Sequence, residues 1–336
     1  MILTRTRAFL ILIVLSLAAG GLYLTRGLWQ TAGGISIAPH QALYQMTLSR
    51  LVQSNEIADV RGQMSYRIED VCDGWNVAQR FNLQFVYTDQ PSTLVVSDYN
   101  TYESKDGRRY QFSTRRTHGG QVTDEILGRA ERGAQGEGAI TYQKPQGATV
   151  PLPPNVLFPT QHTLAILRDA AAGQRWFSAP LFDGSDLSKA TDVTTFIRPQ
   201  NKPYIIKVTE VAPIKFAPLP DEDDNAAPVK DEAKHAQTAP ITMTAEQVNA
   251  MPLLSNTRAW RLRMAFYTRG DAIISDASKK NPPTGEDDPL NSITPDYEMT
   301  MILHSNGVVS SFTLDYPDFS LNARLLSIAE VSGNSC

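Results

Sequence analysis

Apolar and polar residues alternate along much of this chain, which is typical of β-strands with one buried and one solvated face. Every second residue from Val60 to Ile68 is apolar or glycine, and every second residue from Phe81 to Tyr87 is apolar. Asp73-Gly74 lies between the two stretches and favours a chain reversal, because both residue types tolerate positive φ. The pattern predicts an antiparallel hairpin with Cys72 at its turn.

The same alternation recurs near the C-terminus and beside two further turn signals. It runs through 260–266 and 297–303, and Asn306-Gly307 follows as the strongest short hairpin signal in the chain. Asp106-Gly107 marks another two-residue turn. Together with a first strand over Gln41–Leu48, the signals predict roughly a dozen strands joined by short turns.

One segment has the pattern of a helix. Pro151-Leu152-Pro153-Pro154 breaks regular structure, and Leu164, Ile166 and Leu167 then supply an apolar face. Thr160 is predicted as the N-cap, and Gly173 as the residue that ends the helix. Long strands with one apolar face must roll up or stack, so the expected fold is mostly β, a large barrel-like antiparallel sheet with one helix packed on it.

Methionine and aromatic residues are frequent on the predicted inward faces. One interpretation is ordinary core packing; the other is an apolar concave surface that accepts an acyl chain or a hydrophobic segment. We call these residues the inward stripe, which would line an apolar groove under the second interpretation; they are Tyr44, Met46, Met64, Tyr66, Phe81, Phe85, Trp260, Met264, Phe266, Met299, Met301 and Phe312.

The N-terminus has the pattern of an export signal. Met1–Arg7 carries two arginines, and residues 8–24 form an uncharged, mostly apolar run. Residues 1–34 are therefore predicted to be a signal peptide or an N-terminal membrane anchor, with a possible membrane tether through 8–24. Residues 35–336 are predicted to form the exported domain.

The charge of the chain argues against some classes of partner. The formal net charge is −4, and residues 1–34 hold three arginines and no acid, so removing them leaves −7. Such a chain is not expected to bind nucleic acid or an anionic membrane surface as its main partner. Residues 218–240 carry six acids, several prolines and no aromatic residue, which is typical of a flexible acidic linker.

The chain has two cysteines, Cys72 and Cys336, which are about 264 positions apart. In an exported protein a disulfide between them is the favoured interpretation. Two unrelated thiols remain an alternative. A redox-active pair is disfavoured by the absence of a Cys-x-x-Cys motif.

No motif in the sequence specifies a reaction. It contains no Gly-x-Ser-x-Gly, Walker loop, dinucleotide fingerprint or pair of histidines at metal-binding spacing. His162 is interpreted as a structural histidine, and Phe182–Asp186 as a turn and not a calcium loop. We therefore expect no catalytic residue, no metal and no cofactor. A hydrolase of envelope polymers, with His162 and Asp183 as its candidates, is the least favoured hypothesis.

Several segments together resemble the EipB family of cell-envelope integrity proteins. They are His40–Tyr44, Val60–Met64, Cys72–Trp75, Val156–Thr163, Phe182–Asp186, Asn306–Val308 and the terminal Cys336. The resemblance implies one long antiparallel sheet wound into a β-spiral or incomplete barrel, similar in shape to the lipoprotein carriers LolA and LolB. It also implies an internal disulfide, carried here by Cys72 and Cys336, and a periplasmic role in keeping the Gram-negative envelope intact.

Two functional hypotheses follow from the stripe and the resemblance. In the first, a non-enzymatic periplasmic protein binds a lipid, a lipoprotein or another hydrophobic envelope component in its curved sheet. In the second, the inward stripe is simply core, and the protein is an interaction scaffold whose outer surface contacts an envelope protein.

Overall fold

The computed structural model describes residues 35–52, 56–133, 136–187, 190–200, 253–254, 257–268 and 294–331. They form fourteen strands and one α-helix within one compact unit, Ser36–Cys336. The elements are β1 (His40–Leu51), β2 (Ile57–Asp70), β3 (Gly74–Tyr87), β4 (Thr93–Ser104), β5 (Arg109–His118), β6 (Gln121–Arg132), β7 (Gly138–Lys144), β8 (Thr149–Pro151), α1 (Pro159–Ala171), β9 (Trp176–Leu181), β10 (Thr191–Pro199), β11 (Ala259–Thr268), β12 (Tyr297–His304), β13 (Val309–Asp315) and β14 (Phe319–Glu330).

All fourteen strands belong to one antiparallel sheet. Its spatial order is β8-β7-β6-β5-β4-β3-β2-β1-β14-β13-β12-β11-β10-β9. Consecutive strands pair throughout except β8 and β9, which form the two edges of the sheet. In addition, β1 pairs with β2 on one side and with β14 on the other. The predicted class is confirmed: a mostly β protein with one large antiparallel sheet and, among the described residues, one helix.

The sheet is strongly curved. Phe85 of β3 meets Phe319 of β14 edge to face, with ring centroids 6.1 Å apart. Three interstrand spacings separate these strands, so a flat sheet would hold them about 14 Å apart. The main core lies inside this curve, where Tyr44 is buried and its hydroxyl donates to the Val309 carbonyl at 2.6 Å.

A second core closes the region between β5–β7 and the segments that flank β9. Tyr110 stacks on Phe158 with centroids 4.8 Å apart, and Phe112 meets Phe182 edge to face at 5.4 Å. Phe158 immediately precedes α1, and Phe182 immediately follows β9. Aromatic packing therefore holds the residue before α1 and the residue after β9 against β5, which lies earlier in the chain.

Helix α1 begins at Pro159 and has Phe158 as its N-cap, so the prediction of Thr160 as N-cap is wrong. Proline suits the first helical position because its missing N–H would have had no partner there. The next two N–H groups, of Thr160 and Gln161, are satisfied from β4 by a glutamate described below. The C-terminal prediction is confirmed: the C-cap Ala172 is followed by Gly173 at φ +83°.

The β2–β3 turn carries Cys72. The predicted reversal is present, but Cys72 itself, and not the glycine that follows, takes positive φ, at +70°. His40 of β1 lies opposite Ile68 of β2 and opposite Glu330 of β14, so β14 ends two strands from this turn. Two spacings are about 10 Å, and five extended residues span up to about 17 Å. Cys336 lies outside the described residues, and its pairing with Cys72 stays a prediction that this register supports.

We expect Cys72→Ser to lower the free energy of unfolding by about 2–4 kcal/mol, because the bridge would restrict a very long loop in the unfolded chain. The measurement is thermal unfolding under oxidising conditions. Adding reductant to the parent protein should bring its midpoint to that of the variant. Equal midpoints for parent and variant in oxidising buffer would contradict the pairing.

Two further predictions fall on residues that the structure does not describe. They are the export signal or tether in 1–34 and the acidic linker at 218–240. In the part of the chain that is described, no helix has both the length and the apolar character needed to cross a membrane.

Candidate functional site on the concave face

Strand register places the twelve residues of the predicted stripe on one face of the sheet. Tyr44 lies opposite Met64, which lies opposite Phe81; on the other side of the curve Met264 lies opposite Met299. Residues that are directly opposite across antiparallel strands point to the same face. This is the concave face, since the main core cluster contains members of the stripe from β1, β2 and β13 and packs against those of β3 and β12.

Burial divides the stripe into two groups. Seven side chains are buried and serve as core: Tyr44, Met46, Met64, Trp260, Met264, Phe266 and Phe312. Five are only half-buried and pack against the main core cluster: Tyr66, Phe81, Phe85, Met299 and Met301. The half-buried group lies on β2, β3 and β12, on either side of the buried residues of β1, β14 and β13.

The burial of β3 indicates that the concave face is not filled along this strand. Trp75 is buried, whereas every residue from Asn76 to Tyr87 is half-buried, on both faces. A strand over a filled core would show buried and exposed residues in alternation. Leu83 and Val95, a directly opposed pair on the concave face, are both half-buried. We define the concave groove as the half-buried residues Phe81, Leu83, Phe85, Val95, Met299 and Met301.

The groove has one closed and one open end. On β5, Tyr110, Phe112 and Thr114 are buried, but Arg116 and His118, further along the same face, are exposed. Strand ends on the side of His118 also carry apolar residues in contact with solvent, namely Leu51, Val52 and Val122, which are 39%, 44% and 48% exposed. Among the described residues, the interior is therefore accessible from the end at which the β5–β6 turn lies.

The segment Phe182–Asp186 helps to close the interior. The Asp183 carbonyl accepts hydrogen bonds from the Tyr99 and Tyr110 hydroxyls, the latter at 2.6 Å. Gly184 has φ +70°, and a Cβ there would collide with the Phe112 ring. The Asp183 side chain accepts the Ser185 N–H at 2.9 Å, which makes the segment a turn, as the sequence indicates. Among the described residues, no three His, Cys, Asp or Glu side chains are grouped to hold a metal ion.

Glu103 is a buried carboxylate that sequence reasoning missed. It lies on the concave face of β4, opposite Trp75, and its two oxygens accept the N–H groups of Thr160 at 2.7 Å and Gln161 at 2.8 Å. The glutamate thus caps α1 from a distant strand. Burial raises the pKa of Glu103 to about 7, although the two backbone N–H donors act in the opposite direction.

His162 has the environment of a core side chain. It meets Phe177 of β9 edge to face at 5.3 Å, and burial lowers its pKa to about 4. Its Nε2 has no hydrogen-bond partner among the described residues. Asp183, by contrast, belongs to the segment held by Tyr99 and Tyr110. The two residues named for a hydrolase thus have separate surroundings.

Comparison with known proteins gives three findings. The EipB-like family model matches residues 31–213 and 226–332, which confirms the resemblance seen in the sequence. The chain is 23% identical over 303 residues to the cell envelope integrity protein EipB of Brucella abortus, covering 90% of this chain and 87% of that protein. It also resembles the crystal structure of a β-barrel-like protein of the DUF1849 domain from Brucella abortus. That likeness has a TM-score of 0.63 at 21% identity and covers 89% of this chain and all of the other.

Proposed function

We infer the function from family and geometry together: the chain belongs to the EipB-like family, and its curved sheet leaves an apolar groove half-open. We propose that it is a periplasmic, non-enzymatic protein that maintains the integrity of the cell envelope. In this proposal the concave groove binds a hydrophobic or lipoprotein-like envelope component. The name of the Brucella relative supports the envelope role, and the half-buried stripe supports the binding.

The composition of the groove suits an acyl chain. Methionine side chains adjust to irregular apolar shapes, and phenylalanine rings offer flat apolar surface. Met299 and Met301 face the interior from β12, while Phe81 and Phe85 face it from β3. A ligand that enters at the open end would cover these residues and remove their remaining apolar surface from water.

Native mass spectrometry of protein released from the periplasm, before any detergent step, tests the proposal. A bound mass in the lipid or lipopeptide range is expected. Leu83→Trp, which fills the groove, should lower the bound fraction at least about tenfold, since overpacking excludes a ligand from a fixed apolar site.

Gln84→Trp is the matched control. Gln84 is the next residue on β3, is also half-buried, and points to the opposite face. It should retain the ligand and should restore resistance to envelope stress in a strain that lacks the gene. An apo mass for the parent protein, or equal occupancy in both folded variants, would contradict ligand binding in the groove.

A protein-interaction scaffold is the second candidate. It is favoured by the seven stripe residues that are buried as ordinary core. Under this alternative both tryptophan variants would restore resistance to envelope stress, and charge changes on the outer surface would abolish it.

A further inference from the structure

A group of arginine and aromatic side chains covers the convex face of the sheet near the β9 edge. We call it the basic-aromatic patch and define it as Arg175, Trp176, Phe196, Arg198, Arg261 and Arg263. Register brings five of its members together, and Arg175 directly precedes Trp176 in the chain. Trp176 lies opposite Phe196, and Phe196 lies opposite Arg263. Arg198 lies opposite Arg261 in the same pair of strands.

The patch surrounds a surface groove of about 700 Å³. All four arginines line this groove, together with Phe196, Thr300 and Asp315 among others. Arg263 forms an ion pair with Glu298 at 2.7 Å, so part of its charge is matched locally. Even with Glu298 counted beside Asp315, four arginines stand against two acidic residues here. The formal net charge of −4 argues against an anionic membrane as partner of the chain as a whole, but that argument does not extend to this locally positive face.

The aromatic members of the patch are unusually exposed. Trp176 is 63% exposed and Phe196 is 59% exposed, more than the other exposed large hydrophobic residues in the described part of the chain. Arginines on an outer strand would by themselves serve to discourage edge-to-edge pairing of sheets. The neighbouring tryptophan and phenylalanine on the convex face favour association instead, since they add exposed apolar surface at the same place.

We propose that the basic-aromatic patch docks on the phosphate headgroups of an anionic phospholipid bilayer. Guanidinium groups bind phosphate through paired N–H donors, and they attract anionic lipid surfaces. Tryptophan is enriched at the level of the headgroups, where its ring contacts acyl chains and its N–H stays in polar surroundings. An acidic polypeptide would match the charge but gives no reason for two large apolar side chains in the middle of the patch. The patch lies on the face opposite the concave groove, so this proposal does not depend on the function proposed above.

Sedimentation of the full-length protein with vesicles tests the proposal. One set of vesicles contains phosphatidylglycerol and phosphatidylethanolamine, and the other contains phosphatidylcholine alone. We expect the parent to bind the anionic vesicles and release them as ionic strength rises. Arg198→Glu with Arg261→Glu should weaken this binding at least about tenfold. Trp176→Ser with Phe196→Ser should weaken it at low and high salt alike, because the apolar contribution is not screened.

The matched control is Arg61→Glu with Arg108→Glu, which makes the same change in net charge at two exposed arginines outside the patch. The parent and every variant keep residues 1–34, so vesicle binding through that segment is the same in all of them. The phosphatidylcholine vesicles measure the part of this binding that does not depend on lipid charge. Equal binding by the parent and the Arg198/Arg261 variant would overturn the proposal, as would equal losses in patch and control variants. Binding of polyglutamate without binding of anionic vesicles would assign the patch to an acidic polypeptide. Competition by millimolar inorganic phosphate would assign it to a free anion.

Discussion

Acidification from pH 7 to pH 4 is expected to lower the free energy of unfolding of a Glu103→Gln variant by about 3 kcal/mol more than that of the parent. Burial lowers the pKa values of His162 and His304 to about 4, against 6.5 in the unfolded chain. Each histidine is therefore uncharged in the folded protein down to about pH 4. Its stabilising contribution is present above pH 6.5 and is lost as the pH falls through 4, which amounts to about 3 kcal/mol per histidine.

Glu103 acts in the opposite direction. Its folded pKa of about 7 exceeds the ordinary value of 4.5, so the folded state binds its proton more tightly than the unfolded chain does. The contribution of Glu103 is present below pH 4.5 and is lost as the pH rises through 7, again about 3 kcal/mol. In the parent, protonation of Glu103 on acidification offsets about half of the stability that is lost through His162 and His304. Glutamine still offers one acceptor oxygen to the helix N-terminus but does not titrate.

Two further contributions act in the same window. Burial lowers the pKa of His40, which adds to the loss on acidification, and burial raises the pKa of Asp183, which opposes it. The measurement is denaturant-induced unfolding at intervals from pH 4 to pH 8. His162→Gln should make the curve flatter between pH 4 and 6.5. Parallel curves for the parent and Glu103→Gln would show that the carboxylate does not titrate in this range.

Gly62→Ala is expected to destabilise the protein by about 4–5 kcal/mol, or to prevent its folding. A Cβ at this position would overlap the backbone carbonyl oxygen of Asn82 and lie 2.9 Å from the Cα of Leu83. Both atoms belong to β3, the hydrogen-bonded partner of β2, so the collision cannot be relieved by turning a side chain. The strands would have to separate where the main core packs against them.

The matched control is Gly133→Ala. A Cβ there would also meet an atom closely, but that atom is a carboxylate oxygen of Glu137, at the free end of a flexible side chain that can rotate away. The free energy of unfolding of the control should change by less than about 1 kcal/mol. Comparable losses in the two variants would mean that the close approach of β2 and β3 does not limit residue size at Gly62.

Much of the fold could be predicted because its determinants are local. Period-2 alternation indicates a strand wherever it occurs, and Asp106-Gly107 and Asn306-Gly307 direct the chain back at once. The structure places both glycines at positive φ, +68° and +81°. A meander built from such hairpins needs few long-range contacts to specify its order. The pairing of β1 with β14 is the long-range exception.

The helix start was mispredicted because its cap is not local. Thr160 fits the pattern of a capping residue, but the donors are satisfied by Glu103, more than fifty residues earlier in the chain. A signal was nevertheless present. Register from the β3–β4 hairpin places Glu103 opposite Trp75, on the apolar face, where a charged residue needs a specific partner.

Alternation also predicts which side a residue faces but not how deeply it is buried. Met264 and Met299 are directly opposed members of the same stripe, yet Met264 is buried and Met299 is half-buried. That difference arises from the curvature of the whole sheet and from what packs on it. The arginines of the basic-aromatic patch likewise occupy ordinary outward positions, and only the register of β9, β10 and β11 brings them together.

The pairing of β1 with β14 has a consequence for the connectivity of the sheet. If the ends of these two strands were joined and the chain were cut between β8 and β9, the order β9 to β14 followed by β1 to β8 would be a simple up-and-down meander. The natural chain is thus a circular permutation of that meander. Because β1 pairs with β14, one edge of β1 has no partner until β14 has been synthesised. The sheet cannot be completed before then, and contacts of such long sequence separation are the slowest to form.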